Sequence, residues 1–192
     1  LMYKSIIRFL LVLVLIPNLV YSNKRDTMET VYLAGGCYWG LEDLIRNIPG
    51  VETTLVGFTG GLVKNVSYKE VSNGNTGHAE SIKVVFDNER LTLDNLLFEF
   101  FSMHNPTTVN QQGNDIGSQY RSAIFYSNQN QKEISNKVID IVNQSKKWDS
   151  PVVTGVVPFT EFYPAEDSHQ KYLIKNPGGY SCHFDRKFDF TK

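Results

Sequence analysis

Gly35-Gly36-Cys37-Tyr38-Trp39-Gly40 is the stretch that decides how this chain folds. The apolar run before it, residues 31–34, is typical of a short strand. Apolar residues after it recur at helical spacing and predict one buried helix face: Leu41, Leu44, Ile45 and Ile48. The paired glycines therefore indicate a sharp strand-to-helix turn, with the cysteine in the first turn of the helix.

Cys37 is the candidate nucleophile because of this position. The free backbone N–H groups and the positive end of the helix dipole favour a negative charge at a helix start. We therefore expect the Cys37 thiol to lose its proton easily, and the thiolate is the reactive form of cysteine. The neighbouring glycines leave space above the sulfur.

Length and composition are those of an ordinary soluble globular domain. The chain has 192 residues and a formal net charge of −1, which allows one domain with a sizeable core. There is no basic cluster, so nucleic acid is not an expected partner. We expect a monomer.

The first 22 residues have the pattern of a secretory signal peptide. Lys4 and Arg8 give a positive start, and residues 9–16 are an unbroken apolar run. That run is short for a membrane span, which needs about 20 residues. An uncleaved signal anchor is the alternative. We expect residues 23–192 to form the functional domain, exported to a periplasm or secreted, and membrane-tethered if the signal stays in place.

Only two cysteines occur, Cys37 and Cys182. In an exported protein the simplest interpretation is one structural disulfide. A structural half-cystine, however, needs neither a double glycine nor a helix start. That interpretation leaves the surroundings of Cys37 unexplained.

Strands and helices alternate along the rest of the chain. Period-two alternation or short apolar runs predict four further strands, over residues 51–59, 79–87, 123–126 and 152–159. Helical spacing predicts three further helices, over residues 91–103, 128–148 and 167–175. Polar, glycine-containing stretches predict two loops and an irregular tail: residues 65–77, 104–119 and 176–192. The pattern predicts a single α+β domain with a ferredoxin-like core, in which helices pack on one mixed sheet.

Glu80 is the candidate proton donor. In its strand it shares the inward face with Ile82 and Val84, by the period of two. A carboxyl group buried beside apolar groups has a raised pKa, because burial penalises the charged form. The alternative is a strand-end residue that faces solvent. His78 lies on the opposite face, and we expect it to be solvated.

Three further residues indicate a function only in combination with Cys37 and Glu80. Tyr68 and Tyr120 lie in or beside the predicted loops, where a tyrosine is more often a core or surface residue. Asp115 alone is typical of a loop cap.

Taken together, six segments resemble the A-type peptide-methionine sulfoxide reductases. They occur in the family's order, at residues 35–40, 68–71, 77–80, 115–122, 166–172 and 175–180. The resemblance covers nearly all of the chain after the signal-like segment. It implies a repair enzyme for oxidative damage that reduces methionine S-sulfoxide, free or in proteins, since each such enzyme acts on one sulfur epimer.

The resemblance also implies a role for each candidate residue. Cys37 attacks the sulfoxide sulfur and becomes a sulfenic acid, while Glu80 protonates the departing oxygen. Tyr68 and Tyr120 hold that oxygen, with support from Asp115.

The remaining implied roles concern substrate binding and recycling. Tyr38 and Trp39 form an apolar slot for the S-methyl group. Cys182 condenses with the sulfenic acid of Cys37 to a redox-active disulfide, which a thioredoxin-like dithiol protein reduces. Neither a cofactor nor a metal is implied.

The sequence departs from the family pattern at three places. Tyr38 stands where the family more often has phenylalanine, and Ser168 where it usually has an aromatic residue. Ser181 shifts Cys182 one residue along the tail.

Two other functions compete with a reductase. A cysteine hydrolase or acyltransferase would pair the nucleophile with a histidine base. The candidates for that base are His78, His104, His169 and His183. A secreted binding module held by a Cys37–Cys182 disulfide is the non-enzymatic alternative.

Overall fold

The computed structural model describes residues 27–192. The signal segment predicted for residues 1–22 lies outside the described residues. The strands in the described part are β1 (Met28–Gly35), β2 (Val51–Thr59), β3 (Ala79–Asp87), β4 (Gln111–Gln112), β5 (Asp115–Ile116), β6 (Ser122–Tyr126), β7 (Gly155–Pro158) and β8 (Phe162–Pro164). The helices are α1 (Tyr38–Ile45), α2 (Tyr68–Ser72), α3 (Leu93–Met103), α4 (Gln129–Ser145) and α5 (Tyr172–Lys175), with a 3-10 turn at Ser118–Tyr120. Within residues 27–192, no helix combines the length and the apolar character that a membrane crossing requires.

Six strands form one mixed sheet in the order β7-β6-β1-β3-β2-β8. The β6–β7 pair is parallel and the other pairs are antiparallel. The run β1-α1-β2-β3-α3-β6 gives the inner strand order β6-β1-β3-β2, which is the arrangement of a ferredoxin-like split βαβ core. The predicted α+β class is confirmed.

The period of two in the strands separates the two faces of the sheet. On β1, Val31 and Leu33 are fully buried in the main core, together with Leu41 and Ile45 of α1. The helices α3 and α4 add apolar side chains to the same core. The alternate residues of β1 belong to a smaller aromatic and alanine cluster on the other face. The helices therefore cover one face, and the candidate residues Cys37 and Glu80 lie where α1 meets the sheet.

The strands over residues 51–59 and 79–87 have the bounds that the sequence predicts. The predicted loop over residues 65–77 contains the short helix α2, which begins with a capping box formed by Ser67 and Glu70. The strand β8 was not predicted, and neither were β4 and β5, which lie in the predicted loop over residues 104–119. All of these elements are too short to show a periodic pattern.

The helix predicted over residues 167–175 begins only at Tyr172. Lys171 stands before it in a left-handed conformation, with φ of 54°. Its backbone N–H donates to Glu42 Oε2 at 3.0 Å, and its Nζ is 2.6 Å from Glu42 Oε1. These bonds to a buried carboxylate of α1 replace the helical conformation expected there.

The expectation that His78 is solvated is wrong. The side chain is buried, because the backbone of residues 61–63 folds over it. The Gly61 N–H donates to its Nδ1 at 3.2 Å, and its Nε2 donates to the Val63 carbonyl oxygen at 2.7 Å. Both ring nitrogens are occupied by backbone groups, so His78 stabilises this turn.

Candidate active site

The turn between β1 and α1 places Cys37 at the N-cap of the helix. Gly36 has φ of 102°, which favours glycine, and a Cβ atom there would lie 2.4 Å from Gln112 Cγ. The backbone N–H of Trp39, in the first turn of α1, points at the Cys37 sulfur. The predicted strand–turn–helix position of the nucleophile is therefore found.

The electrostatic consequence expected for Cys37 is wrong. The side chain is only 7% exposed, and this burial raises the pKa of the thiol well above its ordinary value. The nearby Glu80 carboxylate raises the Cys37 pKa further, and the Trp39 N–H only partly offsets these two effects. The resting sulfur is therefore a thiol.

Glu80 lies at the start of β3 with 2% of its surface exposed, so the predicted inward orientation is confirmed. Its Oε2 accepts a hydrogen bond from the Tyr38 backbone N–H at 3.2 Å. Burial raises the pKa of Glu80 to about 8, and the charge of Asp115 adds to the effect. The carboxyl group consequently keeps its proton near neutral pH, and in that state it does not oppose the Cys37 thiolate.

Tyr68 and Tyr120 face the same space. Tyr68 begins α2, and Tyr120 ends the 3-10 turn after β5. Burial, and after it the charge of Glu80, raises the pKa of each phenol. Both hydroxyl groups therefore remain hydrogen-bond donors at neutral pH.

Asp115 lies in the β4–β5 hairpin, next to the tail. Its Oδ2 accepts a hydrogen bond from the Tyr180 hydroxyl at 3.0 Å. The Cys182 thiol also hydrogen-bonds to Asp115, which connects the hairpin to the second cysteine. Asp115 acts on the site through these neighbours and through its charge.

Cys182 and Cys37 are both free thiols. The backbone N–H of Cys37 donates toward the Cys182 sulfur. Burial and the Asp115 carboxylate raise the pKa of Cys182 to about 12. The tail thus places the Cys182 thiol beside Cys37, although Ser181 shifts Cys182 by one residue along the tail.

Tyr38 and Trp39 are organised by one histidine. The Trp39 Nε1 donates to His169 Nδ1 at 3.2 Å, so that nitrogen carries no hydrogen. The Tyr38 hydroxyl, 3.0 Å away, therefore also donates to it. Trp39 stacks on Tyr172, with ring centroids 3.8 Å apart. Tyr38 is completely buried, whereas Trp39 is half-buried.

The segment that carries His169 is anchored to the core. Lys171 Nζ contacts the buried Glu42 and also donates to the Thr54 carbonyl oxygen at 2.7 Å. The Gln170 side chain bonds both the N–H and the carbonyl of Val56, each at 2.9 Å. These bonds fix the position of the histidine against α1.

Sequence reasoning considered His169 and His183 only as candidate bases of a hydrolase, and it gave Tyr180 no role. His169 and Tyr180 lie inside segments that resemble the reductase family, which was the available signal. Within residues 27–192, no histidine forms a hydrogen bond to Cys37, as a hydrolase pair would require. In the same part of the chain, no three His, Cys, Asp or Glu side chains are grouped so that they could hold a metal ion.

Comparisons with known proteins agree on one family. The family model described as "Peptide methionine sulfoxide reductase" matches residues 29–192. "Peptide methionine sulfoxide reductase MsrA 2" of Rhodopirellula baltica is 51% identical over 158 residues, which cover 82% of this chain and 92% of that protein.

Two solved structures are similar to the fold as a whole. Reduced Mxr1 from Saccharomyces cerevisiae is 35% identical, with a TM-score of 0.80 over 84% of this chain and 94% of that one. Methionine sulfoxide reductase A of Corynebacterium diphtheriae is 39% identical, with a TM-score of 0.76 over 81% of this chain and 78% of that one.

Proposed function

Because the chain belongs to the peptide methionine sulfoxide reductase family, we propose that Cys37 and Glu80 carry out the thiol-dependent reduction of methionine S-sulfoxide in this protein. The observation that carries the assignment is the pair itself. A buried carboxyl group with a pKa of about 8 lies against the helix start that presents the thiol. Such a carboxyl group can donate a proton near neutral pH.

In the first step, oxygen moves from the substrate to the enzyme. Cys37 attacks the sulfoxide sulfur to form an S–S bond, and Glu80 gives its proton to the oxygen. The substrate S–O bond then breaks, the oxygen bonds to the Cys37 sulfur, and the S–S bond breaks. Methionine leaves as the reduced sulfide and Cys37 becomes a sulfenic acid. The proton of the Cys37 thiol returns to Glu80, so the carboxyl group ends the step protonated.

Substrate binding follows from the groups around this pair. The hydroxyls of Tyr68 and Tyr120 donate to the sulfoxide oxygen, and Asp115 steadies the hairpin beside them. Trp39, backed by the buried ring of Tyr38, forms the apolar wall for the S-methyl group. Shape therefore selects the sulfoxide, since no charged side chain is needed to bind it.

Recycling uses the second thiol and an external reductant. Cys182 condenses with the sulfenic acid to form a disulfide to Cys37, and a thioredoxin-like dithiol protein reduces that disulfide. Mxr1 of Saccharomyces cerevisiae has been crystallised in complex with Trx2, which supports a reductant of this type.

Turnover of resolved methionine sulfoxide epimers, with dithiothreitol as reductant, tests the assignment. We expect turnover of the S epimer, no turnover by Cys37→Ser, and a first step slowed by roughly 10²–10⁴-fold in Glu80→Gln, because a positioned proton donor is lost. Glu133→Gln, on the exposed side of α4, is the matched control and should retain wild-type rates. Wild-type rates in Glu80→Gln, or hydrolysis of an ester substrate without any thiol reductant, would contradict the assignment.

Export of residues 23–192 is part of the proposal and rests on the pattern of residues 1–22 alone. Expression of the full chain, followed by fractionation and N-terminal sequencing, tests it. A mature chain that begins near residue 23 in an exported fraction supports cleavage, and an intact chain in the membrane fraction indicates an anchor. A full-length chain in the cytosol contradicts both.

A further inference from the structure

His183 is the one histidine of the described chain that contacts a redox-active thiol. Its Nδ1 is 3.4 Å from the Cys182 sulfur, and its Nε2 is 2.6 Å from the Gly35 carbonyl oxygen. The side chain is buried, with 8% of its surface exposed. It therefore connects the second thiol to the turn that carries the nucleophile.

The hydrogen bond to Gly35 fixes the tautomer of this ring. A carbonyl oxygen can only accept, so the hydrogen of a neutral imidazole must be on Nε2. Nδ1 is then left with a lone pair that faces the Cys182 sulfur at 3.4 Å, so His183 and Asp115 are the two acceptors within reach of the single S–H hydrogen. The ring is oriented as a proton acceptor, with its second nitrogen held by backbone, as is usual for histidine bases.

The packing of the turn makes room for this ring. A Cβ atom on Gly40 would lie 2.9 Å from His183 Nδ1 and 2.3 Å from Ser181 Oγ. A Cβ atom on Gly36 would lie 3.2 Å from His183 Cε1. Gly36 and Gly40 thus leave the space that the tail segment with His183 and Cys182 occupies.

We propose that His183 is the base of the resolving step: it takes the proton from Cys182 as this sulfur attacks the sulfenic acid of Cys37. The inference rests on the proposed function, since it concerns the recycling half of that cycle. It assigns a catalytic role to a residue that contacts a reacting atom but not the substrate.

The atoms of the step balance. A bond forms between the sulfurs of Cys182 and Cys37, and the S–O bond of the sulfenic acid breaks. The S–H proton goes to His183 Nδ1, and the departing hydroxide takes the Glu80 proton to give water. The Cys182 sulfur is oxidised and the sulfenic sulfur is reduced. The proton on His183 then restores Glu80 through solvent.

The charged and titratable groups around the pair are compatible with this role. Burial lowers the pKa of His183 to about 4, so the ring is neutral at physiological pH and its Nδ1 is free to accept. The charge of Asp115 raises the His183 pKa, and that of Arg186 lowers it. His104 lies close enough for its own pKa to be lowered by His183. The Tyr180 hydroxyl, which donates to Asp115, is also within hydrogen-bond reach of the Cys182 sulfur, where it lowers the Cys182 pKa and so stabilises the negative charge that develops there.

A single turnover without reductant, followed across pH by rapid quench, alkylation and mass spectrometry, tests the inference. Methionine release reports the first step, and loss of alkylatable thiols reports disulfide formation. In the wild type we expect disulfide formation to be nearly independent of pH from about 5.5 to 8.5, because the base is already neutral. In His183→Gln the amide can still donate to Gly35, but its oxygen is not basic enough to take up the Cys182 proton. We expect normal methionine release and disulfide formation slowed about 10²-fold at pH 7, rising about tenfold per pH unit.

The readouts separate the possible failures. If the wild type releases no methionine, the proposed function itself is contradicted. Normal release together with an unchanged disulfide rate in His183→Gln, or a loss that is the same at every pH, would refute the base and leave at most an anchor. A steep pH dependence that appears in Asp115→Asn instead would move the role to the carboxylate. If His183→Gln does not fold, the wild-type profile still decides, because a rate that rises tenfold per pH unit would mean that Cys182 ionises without a base.

Discussion

The low dielectric around the buried residues of this site sets their pKa values. Cys37 and Glu80 are both buried, and burial raises both pKa values, so each group favours its protonated form. The helix start alone would have predicted a thiolate, but one backbone N–H does not outweigh the loss of water around the sulfur. The protonated carboxyl group and the thiol are the forms from which a proton-coupled attack on a neutral sulfoxide can begin.

The hydroxyl of Tyr38 makes a hydrogen bond to His169, and the effect of this bond on stability can be measured. In Tyr38→Phe, His169 keeps its bond from Trp39 and loses the one from Tyr38. We expect turnover to be retained and the free energy of unfolding to fall by about 1 kcal/mol, the net contribution of one buried hydrogen bond. Urea unfolding measures this change. The control is Tyr126→Phe, since the Tyr126 ring is only partly buried and lies far from His169 in the sheet, at the end of β6. Equal stability of the two variants would mean that the hydroxyl bond contributes nothing.

At the scale of elements, the site is a junction between the helix α1 and the irregular tail. The helix supplies Cys37, and the tail supplies Cys182 and His183, which lie across Gly36 and Gly40. The close approach of the Ser181 and His183 side chains to the helix start is possible only because these two positions lack side chains. Recycling therefore depends on helix–tail contact, while the first chemical step depends on the helix and β3.

Gly40→Ala separates these two halves. Alanine favours a helix interior over glycine by about 1 kcal/mol, so α1 itself should form at least as well. The new Cβ atom would collide with Ser181 and His183 and displace the tail. We expect methionine to be released once per enzyme, followed by a stall when thioredoxin is the reductant. Gly155→Ala, whose Cβ atom would meet Val157 at an ordinary 3.5 Å, is the control. Steady turnover with thioredoxin in Gly40→Ala would show that the tail contact is dispensable.

At the scale of the whole molecule, three buried titratable groups give stability a pH dependence of predictable sign. Burial lowers the pKa of His104 to about 3 and that of His183 to about 4, from an ordinary value of 6.5. The unfolded chain therefore binds more protons below pH 6.5, and stability is lost as the pH falls. Glu80 acts in the opposite direction. Its pKa is raised from 4.5 to about 8, so the folded chain binds the extra proton and stability is lost as the pH rises through this range.

The three groups together place the stability maximum near pH 6.5. Below that value the two histidines outweigh Glu80, and above it Glu80 acts alone until about pH 8. Thermal melts from pH 4 to 9 measure the profile. In Glu80→Gln the decline between pH 6.5 and about 8 should disappear, since the amide does not titrate. The whole Glu80 contribution has an upper bound of roughly 5 kcal/mol. A variant that declines as steeply as the wild type would show that Glu80 is ionised at neutral pH.

The sequence by itself determined the elements that have a repeating pattern and the nucleophile turn between two of them. The bounds of β2 and β3, the buried face of β3 and the position of Cys37 at a helix start follow from local periodicity and from the glycines. These features depend on residues that are neighbours in sequence and on the burial of the apolar face of each amphipathic element. They can therefore be predicted without knowledge of the fold.

Tertiary structure decided everything that depends on the surroundings of a side chain. The raised pKa of Cys37, the burial of His78 and the late start of α5 at Tyr172 all result from segments distant in sequence that exclude water or supply a buried partner. The contact of His183 with both Gly35 and Cys182 joins positions 148 residues apart. Periodicity carries no information on such contacts, because they arise only when the chain packs and the dielectric around each group is set.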